Sequence, residues 1–275
     1  MTAYNGKPAC RLAATPEDFE HLNLTGASIA LWEDGLRTDT KPGSYEWWYF
    51  DSHLDDGSSL VVAFYTKNPM EPGHPLEPFV TVALDRPGAK AVTIEQHFPA
   101  GQFTASKNRC DVRVAANAFT GDLRSYEIQV EHDDIAIDAR LTSQVPPWRP
   151  ATGHLYFGAH DEHFFAWLPS VPQGTVAVNL TVGGRTERLS GIGYHDHNWG
   201  DTPMPKLINH WYWGRAQAGP YSIIASHITA ERSYGNAEVP TFLLAKGGSI
   251  VADDASKVRF LVEDVPPTTA GWRRR

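Results

Sequence analysis

Hydrophobic and polar residues alternate along most of this chain in short runs of about four to eight residues, a pattern typical of half-buried β-strands. Turn-forming residues separate the runs, as at Asp55–Gly57, Asp133–Asp134 and Gly183–Gly184. The glycine pair favours a tight two-residue hairpin. The pattern predicts strands at Glu46–His53, Ser59–Tyr65, Phe79–Leu84, Ala91–His97, Asp111–Ala115, Tyr126–Glu131, Ile135–Thr142, Thr175–Val182, Thr186–Ile192, Tyr221–Ile228, Thr241–Leu244, Ser249–Val251 and Lys257–Val262.

Helical periodicity is nearly absent from the sequence. One short helix is predicted over Thr15–Leu22, where Pro16 suits the first turn and the acidic Glu17 and Asp18 suit its positive end. Parallel α/β folds are disfavoured, because no crossover helices lie between the strands. Many short strands separated by turns instead predict an all-β sandwich or barrel.

Two proline-containing loops organise the predicted strands. Gln144–Gly153 is interpreted as a connection within a domain, and Asp201–Lys206 as a domain boundary. The 275 residues suffice for one large or two small domains. We therefore predict an N-terminal β domain over residues 1–200 and a shorter C-terminal β domain over residues 201–275.

Composition narrows the classes of partner. The formal net charge of −8 argues against nucleic acid and against an anionic membrane surface. No apolar run reaches the length of a membrane span, and the polar start of the chain has no apolar leader region. Cys10 and Cys110 form neither a CxxC motif nor a zinc-finger spacing, which favours a reducing compartment. A cytoplasmic protein, either monomer or homodimer, is the expectation.

The chain is rich in aromatic residues, with nine Trp, ten Tyr and twelve Phe. Such enrichment suits an aromatic β core, a ligand pocket, or both. The densest cluster is Tyr45–Asp51. On a strand, Glu46, Trp48 and Phe50 would face one way and Trp47, Tyr49 and Asp51 the other. Because both faces are aromatic, we expect one to pack the core and the other to line a cavity.

A second cluster, Tyr194–Asp201, concentrates side chains that can donate, accept or stack. His195 and His197 would share one face of a strand, where His210 could complete a metal site. Alternatively, Asp196 lies at the floor of an aromatic pocket, where burial raises its pKa and keeps it protonated for acid chemistry. A third interpretation is a hydrogen-bonded hub that locks two β units together.

Two further aromatic stretches are His210–Arg215 and His163–Pro169. In the first, Trp211, Trp213 and Arg215 share a face, and Arg215 can stack on aromatic rings. The sequence contains no glycine-rich phosphate loop, no GxSxG elbow and no HExxH helix. Chemistry without a cofactor or metal is therefore predicted.

Several of these motifs together resemble the carotenoid 1,2-hydratase/AttH family, also called the hydroxyneurosporene synthase family. The similarity covers residues 40–216 and rests on Tyr45–Asp51, His53–Leu54, Trp167–Pro172, Gly174, Tyr194–Asp201 and Trp211–Arg215. It implies two packed lipocalin-like β-barrel domains, the second one short here, with the ligand pocket in or between them. Natural-product cyclases of the lipocalin-like Diels–Alderase type belong to the same superfamily.

The resemblance also implies roles for individual residues. Carotenoid hydratases protonate an isolated double bond and capture the carbocation with water. Matched by motif, the acid is Asp196, and Tyr194 and Trp167 hold the cation; the histidine expected two residues before Trp167 is Phe165 here. The substrate-binding residues expected are Glu46, Trp47, Trp48, Tyr49, Tyr65, His195, His197, Asn198, Trp199, His210, Trp211, Trp213 and Arg215.

Two functional hypotheses follow. The first is a cofactor-independent enzyme that cyclises an apolar unsaturated terpenoid or polyketide, or hydrates one of its double bonds. The second is a non-catalytic lipocalin-like carrier of a hydrophobic small molecule, since such barrels host both roles.

Overall fold

The computed structural model describes residues 9–26 and 28–261. Most of the first 200 residues form one large antiparallel sheet with an accessory pair of strands. Its strands are β1 (Cys10–Leu12), β2 (Tyr45–Leu54), β3 (Ser59–Tyr65), β4 (Phe79–Asp85), β5 (Val92–His97), β6 (Phe103–Ala105), β7 (Asp111–Val114), β8 (Asn117–Gly121), β9 (Ser125–His132), β10 (Ile135–Ser143), β11 (His154–Phe157), β12 (His163–Val182) and β13 (Arg185–Gly200).

A second sheet follows the first and has four strands. They are β14 (Ile208–Ala218), β15 (Tyr221–Ala230), β16 (Glu238–Lys246) and β17 (Ser249–Ala252), paired in that order. The helices are short: α1 (Pro16–His21), α2 (Met204–Leu207) and single 3-10 turns at Leu31–Asp34, Ala100–Gln102, Arg232–Tyr234 and Ala255–Lys257. The prediction of an all-β fold is confirmed.

The large sheet curls around its own core. Its order is β5-β4-β3-β2-β13-β12-β10-β9-β8-β7-β6, with β11 pairing to β12 and β1 to β11. Burial alternates along β9 and β10, so one face of each strand points to the core and the other to solvent. Trp48, Phe50, Phe64 and Ile128 are fully buried inside the curl.

Strand β12 bends at an irregular stretch near its middle. Before the bend it pairs with β11, and after the bend it pairs with β10. Its pairing with β13 shifts register between Leu168 and Val171 and again between Val171 and Gly174. Pro169 and Pro172 fall in this irregular stretch, as expected because proline lacks the N–H that a regular ladder needs. Beyond the bend, β12 and β13 run to the tight turn at Gly183–Gly184.

The chain passes from the first sheet to the second through residues 201–207, which include α2. This segment contains the loop interpreted from sequence as a domain boundary, and the division into two domains stays a prediction. Between the sheets lies a second hydrophobic cluster, in which Phe165 and Trp167 of the first sheet meet Ile224, Ile228 and Leu243 of the second.

Most predicted strands are confirmed within a residue or two, and so is the first helix, where Thr15 closes a capping box with Asp18. The strand predicted at Lys257–Val262 was wrong: a 3-10 turn at Ala255–Lys257 precedes residues without regular structure, and Val262 lies outside the described residues. No helix within residues 9–26 and 28–261 has the length and hydropathy of a membrane span.

Candidate active site between the two sheets

A cavity of about 370 Å³ lies where the two sheets face each other. Its wall is mostly aromatic and aliphatic, with a few polar side chains. It is lined by Trp47, Tyr49, Leu155, Phe165, Trp167, Asp196, Asn198, Met204, Ile208, Trp211, Trp213, Ser226, Ile228 and Thr241. Such a composition suits an apolar small molecule held by a small number of polar contacts.

Strand alternation explains how these residues converge. Side chains on a strand point alternately to its two faces, so Trp47 and Tyr49 of β2 project to the cavity while Trp48 and Phe50 pack the core. The same rule places Asp196 and Asn198 of β13 on the cavity face. In the register of the sheet, Asn198 lies between Trp47 and Trp167, and Asp196 pairs with Tyr49.

Asp196 is the carboxyl group in the cavity wall, and it is 8% exposed. Its Oδ2 accepts hydrogen bonds from the Tyr194 hydroxyl (2.8 Å) and from Trp167 Nε1 (2.8 Å), and its Oδ1 accepts from Asn198 Nδ2 (2.6 Å). Burial raises the pKa of Asp196 above its usual value, although these donors oppose the shift. The group can therefore hold a proton and leave a stabilised carboxylate after releasing it.

An ion pair joins the two sheets beside Asp196. Arg215 of β14 contacts Asp51 of β2, and both side chains are largely buried. The Tyr49 hydroxyl donates to the second oxygen of Asp51 (3.2 Å). The Arg215 guanidinium also lies 5.6 Å from the ring centroid of Tyr194, where a cation–π interaction is favourable. Arg215, which was expected to bind substrate, thus lies against Tyr194, a hydrogen-bond donor to Asp196, and does not itself line the cavity.

His195 and His197 were expected to contact substrate, but β13 turns both of them to its opposite face. There His197 Nε2 lies 2.7 Å from Glu46 Oε1, and His195 Nε2 lies 3.3 Å from Asp34 Oδ2. Trp48 stacks on His197 and donates to the Asp34 carbonyl (3.1 Å). A buried network inside the large sheet therefore contains Glu46, Trp48, His195 and His197. These residues alternate along β2 and β13 with the residues that face the cavity.

Three other residues expected at the substrate also lie elsewhere. Tyr65 stacks on Phe79 and lies next to Trp47, with ring centroids 6.0 Å apart, but it does not itself line the cavity. Trp199 packs near His197 on the far side of the sheet. His210 is exposed on β14 and contacts Asn209. Trp211 and Trp213, on the alternate face of β14, do reach the cavity.

The three-histidine metal site is not assembled, since His210 is exposed while His195 and His197 are buried in the large sheet. A different set, Asp34, Cys110 and His195, has potential ligand atoms within 4.8 Å of one another. Asp34 there accepts a 2.5 Å hydrogen bond from the Tyr126 hydroxyl. Burial raises the pKa of the Cys110 thiol well above its usual value.

Sequence reasoning missed half of the cavity wall. The residues missed are Leu155, Met204, Ile208, Ser226, Ile228 and Thr241, and Phe165 was noted only for replacing a histidine. Alternation in β15 and β16 does separate Ser226, Ile228 and Thr241 from their neighbours. It does not reveal which face of the second sheet meets the first, so these residues had no distinguishing signal.

Comparisons with known proteins agree with the motifs. The chain is 30% identical over 195 residues to a quinolone epoxide rearrangement protein of Emericella nidulans, covering 66% of this chain and 53% of that protein. It is 25% identical over 271 residues to an acyclic carotenoid 1,2-hydratase of Thiocapsa roseopersicina, covering 93% of this chain and 63% of the relative. The chain spans about half the length of several of the curated relatives it matches.

Among solved structures, an AttH protein of Nitrosomonas europaea superposes with a TM-score of 0.57 at 17% identity, covering 78% of this chain and 69% of the other. This likeness supports the lipocalin-like fold. The resemblance to carotenoid hydratases and AttH proteins is thereby confirmed. Residues 108–270 match the Diels-Alderase-like family, and the chain belongs to that family.

Proposed function

We propose that this protein is a cofactor-independent enzyme that protonates an apolar unsaturated terpenoid or polyketide and thereby starts its cyclisation or hydration. The observation that carries the proposal is Asp196: a carboxyl group with a raised pKa, in the wall of an aromatic cavity, held by three hydrogen-bond donors. Relatives named as carotenoid hydratases, epoxide rearrangement proteins and Diels-Alderases support chemistry of this class.

In the proposed reaction, the Asp196 carboxyl donates its proton to one carbon of the double bond, and the other carbon becomes a carbocation. The carboxylate that remains accepts hydrogen bonds from Tyr194, Trp167 and Asn198. Hydration ends when water adds to the cation and its surplus proton returns to Asp196. Cyclisation ends when a second double bond adds and a neighbouring C–H proton returns to the same carboxylate.

The aromatic wall suits the cationic intermediate. The faces of Trp47, Trp167 and Trp213 attract positive charge, and a desolvated contact of this kind contributes about 2 kcal/mol. Holding a flexible chain in a reactive geometry contributes about 7–11 kcal/mol. Phe165, in the place of a histidine in the hydratase motif, removes one polar group that could orient water. This difference favours cyclisation over hydration.

An epoxide would use the same acid, because protonation of its oxygen opens the ring to a similar cation. The relative from Emericella nidulans is named for an epoxide rearrangement. Both substrate types need the same arrangement, an acid facing an apolar, aromatic cavity.

The test is the substitution Asp196→Asn, which keeps the size and shape of the side chain, replaces one acceptor oxygen with an amide donor, and has no acidic proton. We expect turnover of a polyene or epoxide substrate to fall by at least about 100-fold while the affinity for that substrate stays within about twofold. Tyr65→Phe, outside the cavity, is the matched control and should retain turnover.

Three outcomes would contradict the proposal. Full turnover in Asp196→Asn would remove Asp196 as the acid. Tight binding with no turnover of any polyene or epoxide by the unmodified protein would favour the carrier hypothesis. A loss of the folded state in Asp196→Asn, read by circular dichroism, would favour the structural hub.

We also propose that the protein acts in the cytoplasm on a hydrophobic small molecule, as a monomer or homodimer. Cys10 and Cys110 are both free and buried, which supports a reducing compartment. Fractionation of the source cells and size-exclusion chromatography with light scattering test these two points.

A further inference from the structure

The wall of the cavity opposite Asp196 contains two polar side chains in an otherwise apolar face. Ser226 of β15 and Thr241 of β16 both line the cavity and are 4% and 2% exposed. They are direct partners in the strand register, and Trp213 of β14 is opposite Ser226 on its other side. The three residues therefore form one row across the second sheet.

The neighbouring rows show how unusual this pair is. On the same face of the second sheet, Ile224 and Leu243 form one adjacent row and Ile228 and Val239 form the other, and all four belong to the hydrophobic cluster between the sheets. Hydroxyl groups occupy this face at its centre, where the cavity lies. Packing alone would favour alanine and valine at these positions.

The hydroxyls have no partner within residues 9–26 and 28–261. Thr241 Oγ1 is buried without a hydrogen bond. Ser226 Oγ makes none with these residues either, but it is not among the fully buried unpartnered atoms. A buried hydroxyl without a partner destabilises a folded protein, so native structures rarely keep one without a reason. A ligand atom in the cavity would supply the missing partner.

We propose that Ser226 and Thr241 form a polar subsite that binds a carbonyl oxygen of the substrate. This inference rests on the proposed function, because it concerns the other end of the same cavity. Each hydroxyl can donate one hydrogen bond, and a carbonyl oxygen can accept two. The substrate is then an apolar molecule with an oxygenated end at the second sheet and its reactive double bond or epoxide at Asp196.

The subsite fixes orientation as well as substrate class. A pure hydrocarbon has no group to satisfy the hydroxyls and can enter the cavity in either direction. A ketone or amide that binds at Ser226 and Thr241 presents its far end to Asp196. Ketones and amides are therefore expected to be substrates in preference to carotenoid-like hydrocarbons of the same length.

The test compares geranylacetone, an acyclic dienone, with the matched hydrocarbon in which a methylene replaces the carbonyl. Both are measured by displacement of 1-anilinonaphthalene-8-sulfonate from the protein and from the Thr241→Val and Ser226→Ala variants. We expect the unmodified protein to prefer the ketone, and each variant to lose about tenfold in ketone affinity with hydrocarbon affinity unchanged. Thr241→Val should also raise the Tm of the unliganded protein, because it removes a buried, unpartnered hydroxyl.

Asp196→Asn separates this inference from the proposed function. If the subsite is correct, Asp196→Asn keeps the preference for the ketone even though turnover is lost. If Asp196→Asn abolishes the preference while Thr241→Val and Ser226→Ala keep it, the carbonyl binds at the acid and the subsite is refuted. Equal weakening of ketone and hydrocarbon in the Thr241 and Ser226 variants would also refute it, because it would indicate altered packing only.

Discussion

At the scale of single residues, the acid chemistry proposed for Asp196 depends on two opposing influences on its pKa. Burial favours the neutral carboxyl and raises its pKa, whereas the donors Tyr194, Trp167 and Asn198 favour the carboxylate. The balance suits an acid that is protonated before the reaction and stabilised after it. Activity should therefore be high at low pH and fall as the pH rises through the pKa of Asp196.

Trp167→Phe tests this balance, because it keeps an aromatic ring and removes the N–H that donates to Asp196 Oδ2. A hydrogen bond to a charged group contributes about 1.5–3 kcal/mol, which corresponds to about one to two pH units. We expect the falling limb of the pH–rate profile to move to higher pH and the limiting rate to drop about tenfold or more.

Trp148→Phe is the matched control for this prediction. Trp148 packs edge-on against Trp167, but its own Nε1 points to Asp253 (3.4 Å). The Trp148→Phe variant should leave the falling limb of the pH–rate profile at the same pH. If Trp167→Phe lowers the rate but leaves the falling limb of the pH–rate profile at the same pH, Trp167 only shapes the cavity.

The sequence allowed part of the candidate site to be predicted, from motifs and from the alternation of side chains along a strand. Asp196, Trp47 and Tyr49 were assigned to the site by their motifs, and alternation separated Trp47 and Tyr49 from Trp48 and Phe50 without showing which of the two faces lines the cavity. His195 and His197 were assigned to the substrate because the motif is dense in polar groups, and the sequence does not show that Asp34 and Glu46 are their partners. Those pairings depend on contacts more than 150 positions apart.

At the scale of elements, glycines in strand β13 allow the neighbouring strands β2 and β12 to pack closely against it. Gly191 and Gly193 both lie within this continuous strand. A Cβ on Gly193 would come within 2.5 Å of Val176 Cγ2 and 2.9 Å of the Asp51 carbonyl oxygen. The glycine is therefore needed for packing between β2 and β12. Strand patterns cannot show this, because they carry no information about neighbouring strands.

Gly193→Ala should accordingly destabilise the protein. Overpacking of this kind costs about 1–3 kcal/mol, and we expect the Tm to fall by about 2–12 °C in differential scanning calorimetry. Gly214→Ala is the control in β14, where an added Cβ would meet nothing within 4 Å. Equal Tm values for the two variants would contradict the close-approach interpretation.

At the scale of the whole molecule, the site exists only where the two sheets meet. Asp196 and its donors come from β12 and β13, whereas Trp211, Trp213, Ser226 and Thr241 come from the second sheet. The sequence indicated two sets of strands and an intervening proline-containing loop. It could not indicate which faces pack together, because both inner faces read as ordinary apolar strand faces.

The ion pair between Asp51 and Arg215 is a specific link between these sheets, 164 positions apart in the chain. Asp51→Asn and Arg215→Met each leave one buried group without its charged partner. We expect each single variant to lose about 3–5 kcal/mol of unfolding free energy, and the double variant to lose less than the sum. Urea denaturation of the four proteins measures the coupling between the two positions.

The exposed pair Glu127 and Arg140 within the first sheet is the comparison, since its side chains are 52% and 64% exposed. Solvent screens such a pair, and its coupling should stay below about 1 kcal/mol. If Asp51 and Arg215 couple no more strongly than this exposed pair, the ion pair does not hold the sheets together. The apolar contacts of Phe165 and Trp167 with Ile228 would then be what positions the second sheet over Asp196.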